Sequence, residues 1–170
     1  MTGPHLALET GAASHEVAPV FLAPSESRRV VFDTNVLVSL FVFTDSRFAP
    51  LLQEVDDGRW IAFSNAACYA EFERVLAYPV FGLSADRQAM CARAWQTRLT
   101  VAPSPLETAV SLPRCKDRDD QKFLELARDA QAKCLVTADK ALLKLARRDK
   151  LRGLFQIMTP EAALAELAAQ

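Results

Sequence analysis

Histidine is almost absent from this 170-residue chain: there are two, His5 and His15, both within the first 27 residues. From residue 28 onward no imidazole exists for a Ser-His-Asp triad, a Cys–His pair or a His-rich zinc site. Charge of one sign is lacking too. Twenty Lys and Arg against 21 Asp and Glu leave a net charge of −1. That balance excludes a polycation binding nucleic acid through bulk charge, and equally an acidic solvating chain. The four cysteines, Cys68, Cys91, Cys115 and Cys134, form no CxxC, so neither a zinc ribbon nor a thioredoxin-like motif is available. Three of them sit beside apolar residues in periodic segments, where buried free thiols are expected, and a reducing cytoplasm is the expected location. No apolar run approaches the roughly 18 residues that a membrane span needs. The first 27 residues hold no Lys or Arg, so the charged start of a signal peptide is also missing. Catalysis in such a chain has to rest on carboxylates, lysine or cysteine.

What is present is a body of 51% hydrophobic residues, enough for one domain with a sizeable core. Residues 1–27 carry three of the nine prolines, two of the five glycines and no clear hydrophobic period, and read as a flexible N-terminal extension. The domain is expected over 28–170. Within it, short apolar runs alternate with helical patterns. Strands are expected at 30–32, 60–63, 134–137 and 155–158. Helices are expected over 36–40, from Phe48 to Val55, from Asn65 or Ala66 to Leu76, and over 84–99, 119–130, 140–147 and 160–167, the last with Pro160 in its first turn. Pro103, Pro105 and Pro113 mark a loop-rich stretch. Short buried strands alternating with helices predict an α/β fold with a mainly parallel sheet covered on both faces. Sites in such sheets lie beyond the carboxyl ends of the strands, near the reversal of strand order.

Acids occur at those ends. The first strand runs into Asp33, and the strand ending at Thr137 delivers Asp139 two residues later. Either could be a helix N-cap, and both could be functional. Arg114 to Lys122 reads RCKDRDDQK, seven charges in nine residues entering a helix. It is a solvated loop with a cap, or a set of carboxylates (Asp117, Asp119, Asp120) offered to a divalent cation. On the helix after the second strand, Glu71 falls at the flank of the apolar face while Glu73 points further toward solvent. Lys140 to Arg152 holds six Lys or Arg, a solvated surface or a phosphate-tracking rim in which Lys140, Lys144, Arg147 and Arg148 contact RNA.

Taken in order, VVFDTNVLVS, AEFERVL, DRDDQKFLELA and LVTADKALLKL resemble the four acidic motifs of PIN domains, and most closely those of bacterial toxin components of type II toxin–antitoxin modules. The resemblance runs from Arg29 to Thr159. It implies a three-layer α/β/α fold around a sheet of four or five strands, and a Mg²⁺- or Mn²⁺-dependent ribonuclease. Asp33, Glu71, Asp120 and Asp139 match the catalytic and metal-holding acids, with Asp117 or Asp119 as possible substitutes for Asp120. Asn35 and Thr137 match the polar residues that support them. Gln121 stands where similar sequences often carry a further Asp, and Ala138 where Gly or Arg is frequent. The implied partners are an RNA substrate, a cognate antitoxin and a second copy of the chain. A PIN nuclease of RNA processing without an antitoxin, or a degenerate PIN fold serving as an interaction module, are the alternatives.

Overall fold

The computed structural model describes residues 27–105 and 109–169; the extension expected over 1–27 lies, except for Ser27, outside the described residues. The first strand, β1 (Arg28–Phe32), is the centre of the sheet. Its two fully buried valines explain why the run carries no polar alternation: Val30 packs into one core and Val31 into another, on opposite faces. The chain continues through α1 (Thr34–Phe41) and α2 (Ala49–Asp56) to β2 (Trp60–Ser64), then α3 (Ala66–Leu76), α4 (Ala85–Gln96) and β3 (Leu99–Val101). The second half runs α5 (Gln121–Asp129), β4 (Cys134–Val136), α6 (Lys140–Leu145), β5 (Gln156–Met158) and α7 (Pro160–Ala168).

All four pairings are parallel, and the strand order is β3-β2-β1-β4-β5. The chain therefore builds outward from β1 in one direction and returns to build outward in the other, so the order reverses between β1 and β4. Phe32 lies in register with Val136 there, and the Asp33 amide extends the ladder by donating to the Val136 carbonyl at 3.0 Å. Helices cover both faces. Phe41, Leu51, Phe72, Trp95 and Ala163, from α1, α2, α3, α4 and α7, pack with Phe32, Trp60 and Val136 on one side. Phe123, Leu124 and Leu142, from α5 and α6, pack with Phe63, Leu135 and Ile157 on the other. Each large side chain so buried contributes about 1.5–3 kcal/mol. All four cysteines are buried and free, as expected for structural thiols; burial pushes the Cys68 thiol up to about 12 and Cys134 up to about 11, which removes both as nucleophiles.

Several element boundaries shift from the sequence expectation, and two of the shifts bear on the sheet and the site. The helix expected over 84–99 ends at Gln96, and Leu99–Val101 forms a fifth strand instead. With only three residues and two of them exposed, this edge strand shows no apolar alternation to read; it is held by its backbone, with the Ala102 amide donating to Ser64 O at 2.8 Å. The helix expected from 119 starts at Gln121, which leaves Asp119 and Asp120 in the turn before it.

Candidate active site

Residues whose type suits capping differ in whether they cap, and that separates the roles left open by the sequence. Asp139 does cap: its Oδ1 accepts from the amides of Ala141 at 2.6 Å and Leu142 at 2.9 Å, fastening the start of α6. Asp33 and Asp120 occupy the equivalent positions before α1 and α5 and make no side-chain capping bond. Their carboxylates have other partners.

Asp33 is only 3% exposed, and no ion pair reaches it among the described residues. Its Oδ2 accepts from the Thr137 hydroxyl at 2.5 Å and from Asn35 Nδ2. Thr137 is completely buried; having given its proton to Asp33, it accepts from the Asp139 amide at 2.9 Å. Asn35 turns its other end to the Ala138 amide, 3.0 Å from Oδ1. One hydrogen-bonded unit thus ties the ends of β1 and β4 together through Asn35 and Thr137. Burial raises the Asp33 carboxyl above its usual range; Thr137 and the Thr34 amide hold it down, the Glu71 carboxylate pushes it up, and Asn35 holds it down.

Asp120 completes the electrostatic picture. Its carboxyl is raised to about 6, by burial first and then by the charges of Asp33, Asp139, Asp117 and Glu71. The four acids matched by the sequence motifs therefore share one field at the carboxyl edge of the sheet, at the reversal between β1 and β4. Of the three candidate aspartates in the 114–122 segment, Asp120 is the half-buried one. Asp117 is exposed and accepts from the Asp119 amide at 2.9 Å, and Asp119 is exposed as well. Glu71 turns inward with 13% of its side chain exposed, whereas Glu73 is exposed.

Sequence reading missed one member of the site. The Lys122 ammonium forms an ion pair with Glu71 and also donates to the Asp119 carbonyl at 2.6 Å. Its spacing, two residues after Asp120 at the start of α5, was the available signal, but as one of seven charges in a nine-residue run it did not stand out. The two departures from the family pattern have structural explanations. Gln121 Oε1 accepts from the Cys115 amide at 2.8 Å while its Nε2 donates to the Pro113 carbonyl at 3.4 Å, a clasp that needs both ends of an amide and that Asp cannot make. Ala138 serves through its amide, which any residue but proline supplies.

Among the described residues, no group of three His, Cys, Asp or Glu side chains is drawn together closely enough to hold a metal ion. The donor set nonetheless has the chemistry of a hard divalent cation site: oxygen ligands only, in mutual repulsion, with Glu71 held by an internal cation. The Thr34 hydroxyl, one residue from Asp33, is buried without a hydrogen-bond partner. The basic residues expected to bind RNA are spread over more of the molecule. Lys140 adjoins Asp139 and Lys144 lies one turn further along α6, both exposed. Arg147 and Arg148 come after the helix and line a cleft reaching the amino ends of the strands, away from the acids.

The fold and site together define an open, all-parallel α/β sheet with acids at its switch point. A family model of the PIN domain matches residues 29–141, and the chain belongs to the PIN-domain family. PIN domains are generally nucleases, and those nucleases generally use divalent metals. Among solved structures, PAE2754 from Pyrobaculum aerophilum is similar in fold, with a TM-score of 0.54, 19% identity, and coverage of 89% of this chain and 96% of that one. No curated protein matches significantly in sequence. Among the described residues, no helix is long and apolar enough to cross a membrane.

Proposed function

We propose that this protein is a metal-dependent endoribonuclease acting on cytoplasmic RNA, and that it is the toxin of a type II toxin–antitoxin pair. The observation that carries the nuclease reading is Asp33: a buried carboxylate that caps no helix, meets no cation, and lies in the field of further acids. Such crowding destabilises the folded chain and is relieved by a cation. Asp33, Glu71, Asp120 and Asp139 would hold one or two Mg²⁺ or Mn²⁺ ions, which when bound activate water and neutralise charge on the phosphate.

The remaining work falls to the protein. Thr137 and Asn35 fix the Asp33 carboxylate through Oδ2. Asp139 commits Oδ1 to the amides of α6, so its orientation is set by the helix rather than by a flexible side chain. Lys122 keeps Glu71 in place until a cation competes for it. Lys140, next to Asp139, offers a charge to a neighbouring phosphate. Phe43, Tyr78, Val80 and Met90 are large apolar side chains left exposed, and Phe43 packs edge-on against Phe81. Such surface suits a protein partner, which we take to be the antitoxin or a second copy of the chain.

Incubating the purified protein with structured RNA in Mg²⁺ or Mn²⁺, alongside Asp33→Asn, tests the reading. Cleavage by the wild type alone, abolished by EDTA, is the expected result; equal cleavage by both proteins refutes the mechanism. Growth arrest on expression, relieved by a neighbouring gene's product, is expected of a toxin. Cleavage with no growth arrest points instead to RNA processing.

A further inference from the structure

The acids at the carboxyl edge repel the very polymer they are proposed to cut. Asp33, Glu71, Asp117, Asp119, Asp120 and Asp139 face an RNA backbone of the same sign, and Lys122 is already engaged. Affinity has to come from elsewhere on the molecule, and the structure holds a second charged feature. A cleft of about 870 Å³ runs beside the edge strand β5, between the turn that follows α6 and the last helix α7. Five cations line it: Arg28, Lys133, Arg147, Arg148 and Arg152.

Two of the five are balanced by carboxylates. Arg28 pairs with Glu166 at 2.6 Å and lies over the Trp60 ring at 5.3 Å, which makes it a fixed part of the wall. Arg152 pairs with Asp149 at 3.1 Å, but both side chains are more than four-fifths exposed and water weakens the pair. Lys133, Arg147 and Arg148 have no carboxylate within salt-bridge distance among the described residues. Like charges gathered in one concave surface raise its potential and favour an anion there. Four of the five are arginines, whose planar forks match phosphate oxygens in pairs.

We infer that this cleft is a second, non-catalytic RNA-binding site that grips the phosphate backbone at a distance from the scissile bond. The identity of the polyanion rests on the ribonuclease reading above. The path between the two sites supports it: Lys140 and Lys144 lie one turn apart and exposed on α6, and Arg148 follows four residues later. Cations thus recur along α6 and the turn after it, from the residue beside Asp139 to the cleft. A strand of RNA lying across the acids and along α6 meets a positive charge at each step, whereas a short acidic peptide bound in the cleft has no need of that ladder.

The test is a Lys133→Gln/Arg152→Gln double variant, both side chains being exposed, with folding checked by thermal melting. Binding of a fluorescein-labelled single-stranded RNA long enough to span both sites is measured by anisotropy across a salt series, in EDTA so that the RNA stays intact. Losing two phosphate contacts is expected to reduce the slope of log Kd against log salt by about 1.4 and to weaken binding roughly 25-fold at 0.1 M salt. A folded double variant with the wild-type Kd and slope overturns the proposal while leaving cleavage by the wild type, and so the nuclease reading, untouched. A wild type that binds RNA through these residues but cleaves none in Mn²⁺ refutes the nuclease reading and sustains the site. A wild type that binds fluorescein-labelled polyglutamate but not the RNA overturns the proposal in favour of an acidic protein segment.

Discussion

Replacing Thr137 with valine removes one oxygen from the centre of the site and almost no volume. The side chain is fully buried, so a methyl group takes the hydroxyl's place without opening a cavity. Three hydrogen bonds disappear with it, the weakest being the one that Asn35 Nδ2 donates at 3.5 Å. The bond to Asp33 Oδ2 at 2.5 Å is charge-assisted, worth about 1.5–3 kcal/mol, and the Asp139 amide at 2.9 Å loses its acceptor at a further cost of about 1 kcal/mol. Thr137→Val is therefore expected to destabilise the metal-free protein by about 3 kcal/mol at neutral pH. For a domain of this size that lowers Tm by roughly 10 °C. The penalty depends on the charge of Asp33, whose carboxyl Thr137 holds down against burial. Without the hydroxyl that carboxyl rises further, so the penalty shrinks as acid protonates it. Urea denaturation of Thr137→Val, Asp33→Asn and the double variant isolates the coupling, expected at about 1.5 kcal/mol or more. A Thr137→Val protein within about 0.5 kcal/mol of wild type at neutral pH refutes the reasoning. So does an unchanged cost in the Asp33→Asn background.

Asp120, raised to about 6, takes up a proton on folding, so the metal-free protein should lose stability as pH climbs from its ordinary value near 3.8 toward 6. In Asp120→Asn that slope should flatten and the metal-free Tm at pH 7 should rise, while calorimetry shows weaker Mn²⁺ binding. Lys122→Met removes the nearer of the two cations beside Glu71; we expect the metal-free protein to lose about 1–3 kcal/mol of stability and to bind Mn²⁺ more tightly, and tighter binding without any loss of stability would refute the ion pair's role. Asp139→Ala should cost about 1–2 kcal/mol through the lost cap of α6, whereas Asp139→Asn keeps the cap and loses only the charge, so denaturation of the two separates structure from electrostatics.

The sequence made the positions of Asp33 and Asp139 readable because parallel strands buried on both faces leave short apolar runs, and a charged residue within three positions of the end of such a run stands at the sheet edge. Glu71 was placed correctly by the helical wheel, which separates it from Glu73 by their angles to Phe72 and Val75. The third strand was not legible: Leu99, Thr100 and Val101 are held by backbone bonds to β2 at an exposed edge, and backbone bonds leave no pattern in side-chain type. Which of Asp117, Asp119 and Asp120 turns inward was equally hidden, since it depends on where α5 begins and on the Gln121 clasp that pins the loop before it. The basic residues of 140–152 looked like one rim because they are contiguous in sequence, yet α6 carries the chain away from the acids, and Arg147 and Arg148 end beside Arg28 and Lys133.

The bond between Thr137 and Asp33 spans 104 residues of chain. A growing polypeptide that has displayed Asp33 still lacks the donor that steadies it, the neighbouring Asp139 and the whole of β4. Until those later segments are made, β1 is paired with β2 alone, and Asp33 and Glu71 stand without Asp120 and Asp139. If the proposed ribonuclease reading holds, the protein is harmless to the ribosome and message producing it until β4 has been made, because its centre is not assembled before then.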